Sequence, residues 1–398
     1  LSNDIDHSET VGWLTSLYPL ALRAPTTSSV GDLVMHVKEQ MRAVPAKGMG
    51  YGLLRHISGV DALAPSTPRN DILFNYLGQF DQSEAEGIAF ATEFAGHTVS
   101  PRRRREHAAE ITALISTGRL SFAMGFNGLE QEAARMQALL DEIHSALKEI
   151  ISHCRETPNV HYTPSDFPLA QVTLSQVQQW QQAYPDLQQL YASTAMQQGL
   201  IFHELVAGGA YVTQLDLSLI GVLDQELFRS AWQQIVERHD IFRTIFVGDR
   251  LVQLVRAHAA VNWQAFDWRD LGAEQQAEKF LQHRRADKKL GFDLTQAPLL
   301  RLALMRLTDT RTRLLVSYHH ALMDAWSQMV LFDELMQVYR ALVQKRAANL
   351  PAPVPYSTYV AWLAHQDRAA AHRYWQQRVG DIRSSTELGL AGPSAAST

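Results

Sequence analysis

An apolar run that ends in two adjacent histidines constrains this chain more than any other feature. In Ser317-Tyr318-His319-His320-Ala321-Leu322-Met323-Asp324-Ala325-Trp326-Ser327, the histidines close the stretch Arg313 to Tyr318, and an aspartate follows the second by four residues. Leu314, Leu315 and Val316 give that stretch the character of a strand. From Ser327 and Gln328 onward, Val330, Leu331, Leu335, Val338 and Leu342 recur at helical spacing. The pattern predicts strand, turn and helix, with the histidines at the turn, where folds commonly present working groups. Neighbouring side chains of an extended chain point to opposite faces. His319 and His320 therefore cannot both face one substrate, and the pattern predicts one working imidazole beside one packed imidazole.

Imidazole suits proton transfer near neutral pH because its unperturbed pKa, about 6.5, lies close by. Asp324 can orient the turn or balance an arginine. The residues by themselves leave rival readings open. A histidine on a strand can simply be packed or solvated. A metal site finds only one histidine and one carboxylate converging locally, with no Glu or Cys placed to complete a set, so no metal is expected. A serine hydrolase would need a Gly-x-Ser-x-Gly elbow, which the chain lacks.

Composition narrows the class. With 398 residues the chain is long enough for two or three domains, and 46% hydrophobic with 19% charged residues is ordinary for globular proteins. A formal charge of −5 argues against a nucleic-acid partner. The single cysteine, Cys154, excludes a disulfide framework and fits a reducing cytoplasm; it reads as an inert residue near a helix end. No signal peptide and no apolar run long enough to span a bilayer is present, so no membrane partner is expected. The opening Leu-Ser-Asn-Asp reads as a cut made inside a longer polypeptide.

Periodicity sketches the organisation. Helices are predicted over Asp32 to Val44, Leu129 to Ile151 and Val172 to Tyr184. Pro158, Pro164 and Pro168 make Glu156 to Ala170 read as a linker. Gln214 to Leu219 alternates like a half-buried strand, and Asp224 is placed to cap a helix carrying Phe228, Trp232 and Ile235. Hairpins are expected around Gly248-Asp249 and Asp309-Thr310. Strands and helices of mixed order suit an α/β, two-layer lobe. Gly48-Met49-Gly50-Tyr51-Gly52 lacks the Lys-Ser/Thr of a phosphate loop and reads as a tight turn. Arg102 to Arg105 reads as a solvated face, with a docking patch for an acidic carrier protein as the alternative. The glutamines between Gln176 and Gln189 read as part of a helix, and Ser384 to Thr398 as a disordered tail.

Four elements in order carry a family resemblance: Ser193-Thr194-Ala195-Met196-Gln197-Gln198-Gly199-Leu200-Ile201-Phe202, Arg238-His239-Asp240-Ile241-Phe242-Arg243-Thr244-Ile245-Phe246, the His-His turn, and Tyr356-Ser357-Thr358-Tyr359-Val360-Ala361-Trp362. Together they resemble the first four core motifs of condensation domains from nonribosomal peptide synthetases. The His-His-x-x-x-Asp element alone is shared with acyltransferases related to chloramphenicol acetyltransferase. Toward the front, Thr10 to Pro19, Pro45 to Gly52 and Phe74-Asn75-Tyr76-Leu77-Gly78-Gln79 resemble the fifth, sixth and seventh motifs of an epimerization domain. Glu9 stands where arginine is usual, Ala195 where proline is usual, and Ala325 where glycine is common.

The resemblance implies chloramphenicol-acetyltransferase-like lobes joined by a linker. It makes residues 1–155 the C-terminal lobe of an epimerization domain, 156–188 the linker, 189–383 the N-terminal lobe of a condensation domain, and 384–398 a tail. The partner lobes would lie outside this chain, so the isolated chain is expected to hold incomplete tunnels and to be inactive. In this family an aminoacyl thioester attacks a peptidyl thioester, both carried on phosphopantetheine of partner carrier domains. No cofactor is bound directly. His320 is implied as the catalytic imidazole, with His319, Asp324, Arg243 and Trp326 supporting. Asp324 is expected to pair with Arg243 beneath the turn. Asn75 and Tyr76 are implied to line the epimerization tunnel. Carrier, adenylation and condensation domains of the same synthetase are the implied partners, in the cytoplasm. The order of domains and the Met196-Gln197-Gln198-Gly199 form of the first motif imply a D-configured donor and an L-configured acceptor. A non-catalytic scaffold between modules and a freestanding acyltransferase are the alternatives; the epimerization-like motifs speak against the latter.

Overall fold

The structure, a computed structural model, describes residues 10–25, 29–58, 72–79, 96, 100, 105–116, 118–128, 130–157, 160–207 and 211–384. The readings for Glu9, Arg102 to Arg104 and Ser385 to Thr398 lie outside the described residues. The chain divides into two compact units, Leu1–His161 and Tyr162–Thr398.

In the first unit, α1 (Val30–Arg42) starts earlier than periodicity suggests because Ser29 and Asp32 form a capping box. The Asp32 amide donates to Ser29 Oγ at 3.2 Å, and the Ser29 amide donates to the Asp32 carboxylate at 3.3 Å. This reciprocal arrangement satisfies two donors at a helix start. A 3₁₀ turn over Pro45–Gly48 then runs directly into α2 (Met49–His56). The glycine-rich segment is thus a turn only at its first residue, and the expectation of a tight turn throughout is corrected. Gly48 sits at φ +82°, and a Cβ there would fall 2.0 Å from a ring carbon of Tyr18, so both backbone and neighbour require glycine. The strands β1 (Ile72–Gln79), β2 (Ala109–Ser116) and β3 (Arg119–Phe126) form one sheet in that order, β1 parallel and β3 antiparallel to the central β2. Ala109, Ile111 and Ala113 are its buried positions, at the period of two that a strand imposes. The long α3 (Glu130–Glu156) packs against α1 and carries the exposed Cys154 near its end.

The second unit begins inside the stretch that prolines mark as a linker. Thr163, Phe167 and Ala170 are buried, the last two in a cluster with Val177, Trp180 and Leu254. Next come α4 (Leu174–Ala183), β4 (Leu187–Ala192), α5 (Ala195–Ala207) and β5 (Val212–Ile220). Asp224 caps α6 (Gln225–Arg238) as its position predicts, accepting from the Leu227 amide at 3.0 Å. The hairpin β6 (Thr244–Val247) and β7 (Val252–Arg256) turns at Gly248. The remaining elements are β8 (Asn262–Asp267), α7 (Ala273–Leu290), β9 (Leu300–Arg306), β10 (Arg311–His319), α8 (Ala325–Val343), α9 (Tyr356–Ala364) and α10 (Arg368–Val379).

Two sheets result, ordered β5-β10-β9-β8 and β4-β7-β6. The strand β10 lies inside the larger sheet, antiparallel to both β5 and β9, and is buried on both faces. Its unbroken apolar run follows from that position. Leu302, Leu304, Leu314 and Val316 pack in one cluster with Phe228 and Trp232 of α6 and Leu331 and Leu335 of α8. Ala303, Met305 and Leu315 point the other way and meet Phe280 of α7. The mixed α/β class holds, and α7 adds a further layer over the second face of the sheet.

Candidate functional site

The strand β10 delivers the two histidines to different surroundings, as alternation requires. His319 is fully buried; its amide donates to Leu299 O at 3.0 Å, and its Nδ1 accepts from the Ala321 amide at 3.2 Å. His320 is half-buried, its amide donating to Tyr211 O at 2.9 Å. Nδ1 of His320 lies 3.2 Å from Met323 O. A carbonyl only accepts, so Nδ1 carries a hydrogen, and in the neutral ring the lone pair is then on Nε2. The turn therefore selects, for the neutral ring, the tautomer with Nε2 open to a proton.

Asp324 is exposed and caps α8, accepting from the Ser327 amide and from Ser327 Oγ, each at 2.9 Å. The Ser327 amide holds its carboxyl below the usual aspartate range. The expected Asp324–Arg243 pair is absent, which is a correction. Arg243 is buried and pairs instead with Asp240 at 2.6 Å, also donating to Gln188 Oε1 at 2.8 Å and to the carbonyls of Arg256 and Ala257. An exposed carboxylate already satisfied by a helix start needs no buried guanidinium. Trp326 is 78% exposed on the first turn of α8. Asn75 and Tyr76 lie exposed on β1, an edge strand of the first unit, opposite Thr112 and Ala113 of β2.

Residues outside the predicted set tie the turn to its surroundings. Gln197 Nε2 donates to Ala321 O at 3.1 Å and to Gln253 Oε1 at 2.9 Å, and Gln253 Nε2 donates to Ala192 O at 3.1 Å. Gln328 Nε2 donates to the Tyr318 hydroxyl at 2.6 Å, joining the first turn of α8 to β10. Further along α8, Glu334 accepts from Arg238 Nε at 2.9 Å and from His239 Nε2 at 2.7 Å. Burial would raise the Glu334 carboxyl, but Arg238 and His239 outweigh it and hold it below the usual glutamate range. Burial pushes the Tyr356 hydroxyl up, against a hydrogen bond with Thr194. The first and second motifs thus reach the His320 turn and α8 directly, and the fourth packs on β4 and reaches the first through Thr194. A cavity of about 420 Å³ lies among them, lined by His239, Phe242, Met323, Ser327, Glu334 and Tyr356. The imidazole in that lining is His239, which is held by Glu334; His320 does not line it. A larger depression of about 780 Å³ lies between α4 and the β6–β7 turn and has no imidazole in its lining. Among the described residues, no group of three His, Cys, Asp or Glu side chains could hold a metal ion, and no helix is long and apolar enough to cross a membrane.

Sequence signals for the missed residues were slight. Gln253 is polar within the apolar run Val252 to Val255, which marks a buried amide needing partners. Gln197 lies inside the first motif, but nothing in its residue type marks it as the member that reaches the turn, since glutamine suits any helix.

Comparison with known proteins supplies the setting. The condensation-domain family matches residues 2–172 and, separately, 187–395. One polypeptide of the linear gramicidin synthase of Brevibacillus parabrevis is 35% identical over 393 residues, 96% of this chain. Another polypeptide of that synthase is 36% identical over 397 residues, and one from the mycosubtilin synthase of Bacillus subtilis 34% over 394, each match covering 97% of this chain. The chain spans 5%, 8% and 15% of the lengths of these three relatives. Among solved structures, the starter condensation domain of rhizomide synthetase is 21% identical, covers 49% of each chain and gives a TM-score of 0.45.

Proposed function

We propose, for a chain that belongs to the condensation-domain family, that its second unit supplies the imidazole face of a peptide-bond-forming site. The acceptor is an aminoacyl thioester and the donor a peptidyl thioester, each carried on the phosphopantetheine of a carrier domain in the same synthetase. His320 takes the amine proton at Nε2 as the nitrogen attacks the thioester carbonyl; the C–N bond forms, the C–S bond breaks, and the proton passes to the departing thiolate. The observation that carries this reading is the hydrogen bond from His320 Nδ1 to Met323 O, which leaves Nε2 as the acceptor on a half-buried ring. Carrier-tethered substrates would add the advantage of proximity.

Two finer assignments belong to the same reading. The first unit is the C-terminal lobe of an epimerization domain, with Asn75 and Tyr76 toward its tunnel, and the donor thioester is D-configured. The segments Thr10 to Pro19, Pro45 to Gly52 and Phe74 to Gln79 support the first assignment, and the order of the two units with the Met196-Gln197-Gln198-Gly199 form of the first condensation motif supports the second.

The test is single-turnover condensation between loaded carriers in the synthetase that contains this chain. His320→Ala is expected to slow the reaction about 10²- to 10⁴-fold, the usual range for loss of a general base, with folding retained. A rate within a few-fold of the parent would overturn the assignment. D- and L-configured donors compared side by side test the stereochemical part, which fails if the L donor reacts equally well.

A further inference from the structure

We infer that Gln197 and Gln253 form a buried amide relay that positions the His320 turn for reaction. This rests on the reading of His320 as the working imidazole. Gln197 is 3% exposed and Gln253 fully buried. Every polar atom of the Gln197 amide is used: Oε1 accepts from the Thr194 amide at 3.0 Å, and Nε2 donates to Ala321 O and to Gln253 Oε1. The Gln253 amide nitrogen passes the chain of bonds on to Ala192 O. Carbonyls only accept, so Ala192 O and Ala321 O at the two ends fix both amides in one orientation.

The placement of this relay gives it a consequence beyond packing. Gln253 belongs to β7, in the three-stranded sheet, whereas Ala321 follows β10, an inner strand of the other sheet. The relay is thus a polar bridge between the two sheets, and it ends on the turn that carries His320. Ala321 directly follows His320 and lies two residues before Met323, whose carbonyl holds the ring hydrogen. Fixing the Ala321 carbonyl therefore fixes the stretch of backbone between the ring and the group that sets its tautomer. Buried, fully satisfied networks of this kind specify one arrangement over near neighbours. Gln197 and Gln253 act through His320 and are positioning residues.

Gln197→Glu separates positioning from bulk. The carboxylate keeps the size and the acceptor for the Thr194 amide, but it cannot donate to Ala321 O or to Gln253. The experiment is single-turnover condensation in the full synthetase chain with loaded carriers, in four versions: parent, Q197E, H320A and the double variant. Q197E is expected to react about 10- to 100-fold more slowly, the scale of a misplacement near 1 Å. Its half-saturating carrier concentration should stay within about twofold of the parent. In the H320A background the same change should cost nothing further, because the ring it positions is gone. A Q197E rate within about threefold of the parent, or equal slowing in both backgrounds, would overturn the relay. If H320A reacts like the parent, the reading of His320 fails and takes the relay with it, which is a distinguishable result. Should Q197E not accumulate as folded protein, Gln253→Met, which removes the middle of the relay, decides by the same criterion, with smaller slowing expected.

Discussion

At the 240–243 turn a half-buried carboxylate pairs with a buried guanidinium; at the 324–327 turn a carboxylate faces solvent and accepts from a helix start. The side chains of Asp240 and Arg243 are 17% and 6% exposed. Asp324 is exposed, with the Ser327 amide and hydroxyl as partners. Both aspartates lie in recognisable motifs, and charge alone would let either pair with Arg243. Burial decides the outcome. Arg243 must find its counter-charge within the protein, and the residue three positions earlier supplies it. Asp324 has water and an N-terminal amide, so it serves the helix rather than the core.

The comparison breaks most visibly if Arg243 is removed. Arg243→Ala leaves Asp240 without its partner and frees Gln188 and two carbonyls, so a loss of about 3–5 kcal/mol is expected in urea unfolding. A loss near that of a surface change would mean the pair is not buried as described. A double-mutant cycle sharpens the contrast. Asp240→Ala with Arg243→Ala should show a coupling of about 1–3 kcal/mol, whereas Asp324→Ala with Arg243→Ala should be additive within about 0.5 kcal/mol. Strong coupling in the second cycle would restore the pairing that the structure replaces.

Asp324→Ala alone should cost about 0.5–2 kcal/mol, the range for losing a helix cap, while Asp324→Asn should keep most of it. Equal losses for both would show that charge rather than capping matters there. The smallest effect concerns Glu334 on the same helix. Its carboxyl titrates lower folded than unfolded, held down by Arg238 and His239 against the opposing effect of burial. Its contribution is therefore fully present above the unfolded glutamate value, about 4.3, and is lost as pH falls through the lower folded value. Glu334→Gln should flatten that part of the acid unfolding curve, and an unchanged curve would remove Glu334 from the account.

Much of this is visible in the pattern of the chain. Apolar periodicity places β10 and α8, and the alternation of a strand by itself separates His319 from His320. Asp224 is recognisable as a cap because its side chain competes for nearby amides in just that position. Asp324 has the same chemistry, yet a buried arginine in a neighbouring motif draws it toward the wrong partner. Sequence carries no burial for a single aspartate, and burial is the deciding quantity. Gln197 and Gln253 stay hidden for a related reason. Their bonds join positions 56 residues apart, and the end at Ala321 is a backbone carbonyl, which leaves no trace in residue type. Gly48 shows the reverse case, in which a glycine-rich run suggests one long turn although its later glycines continue as a helix. Each of those later glycines costs the helix about 1 kcal/mol relative to alanine, and local propensity alone does not reveal that this cost is overridden.

The state of the His320 ring tests the central claim most directly. Nitrogen-15 NMR of labelled histidine, assigned through the loss of one signal in His320→Ala, reports which ring nitrogen carries the hydrogen in the neutral form. The hydrogen bond to Met323 O predicts a protonated Nδ1 and an unprotonated Nε2. A neutral ring with its hydrogen on Nε2 would contradict the account, because the nitrogen assigned to take up the amine proton would already be occupied.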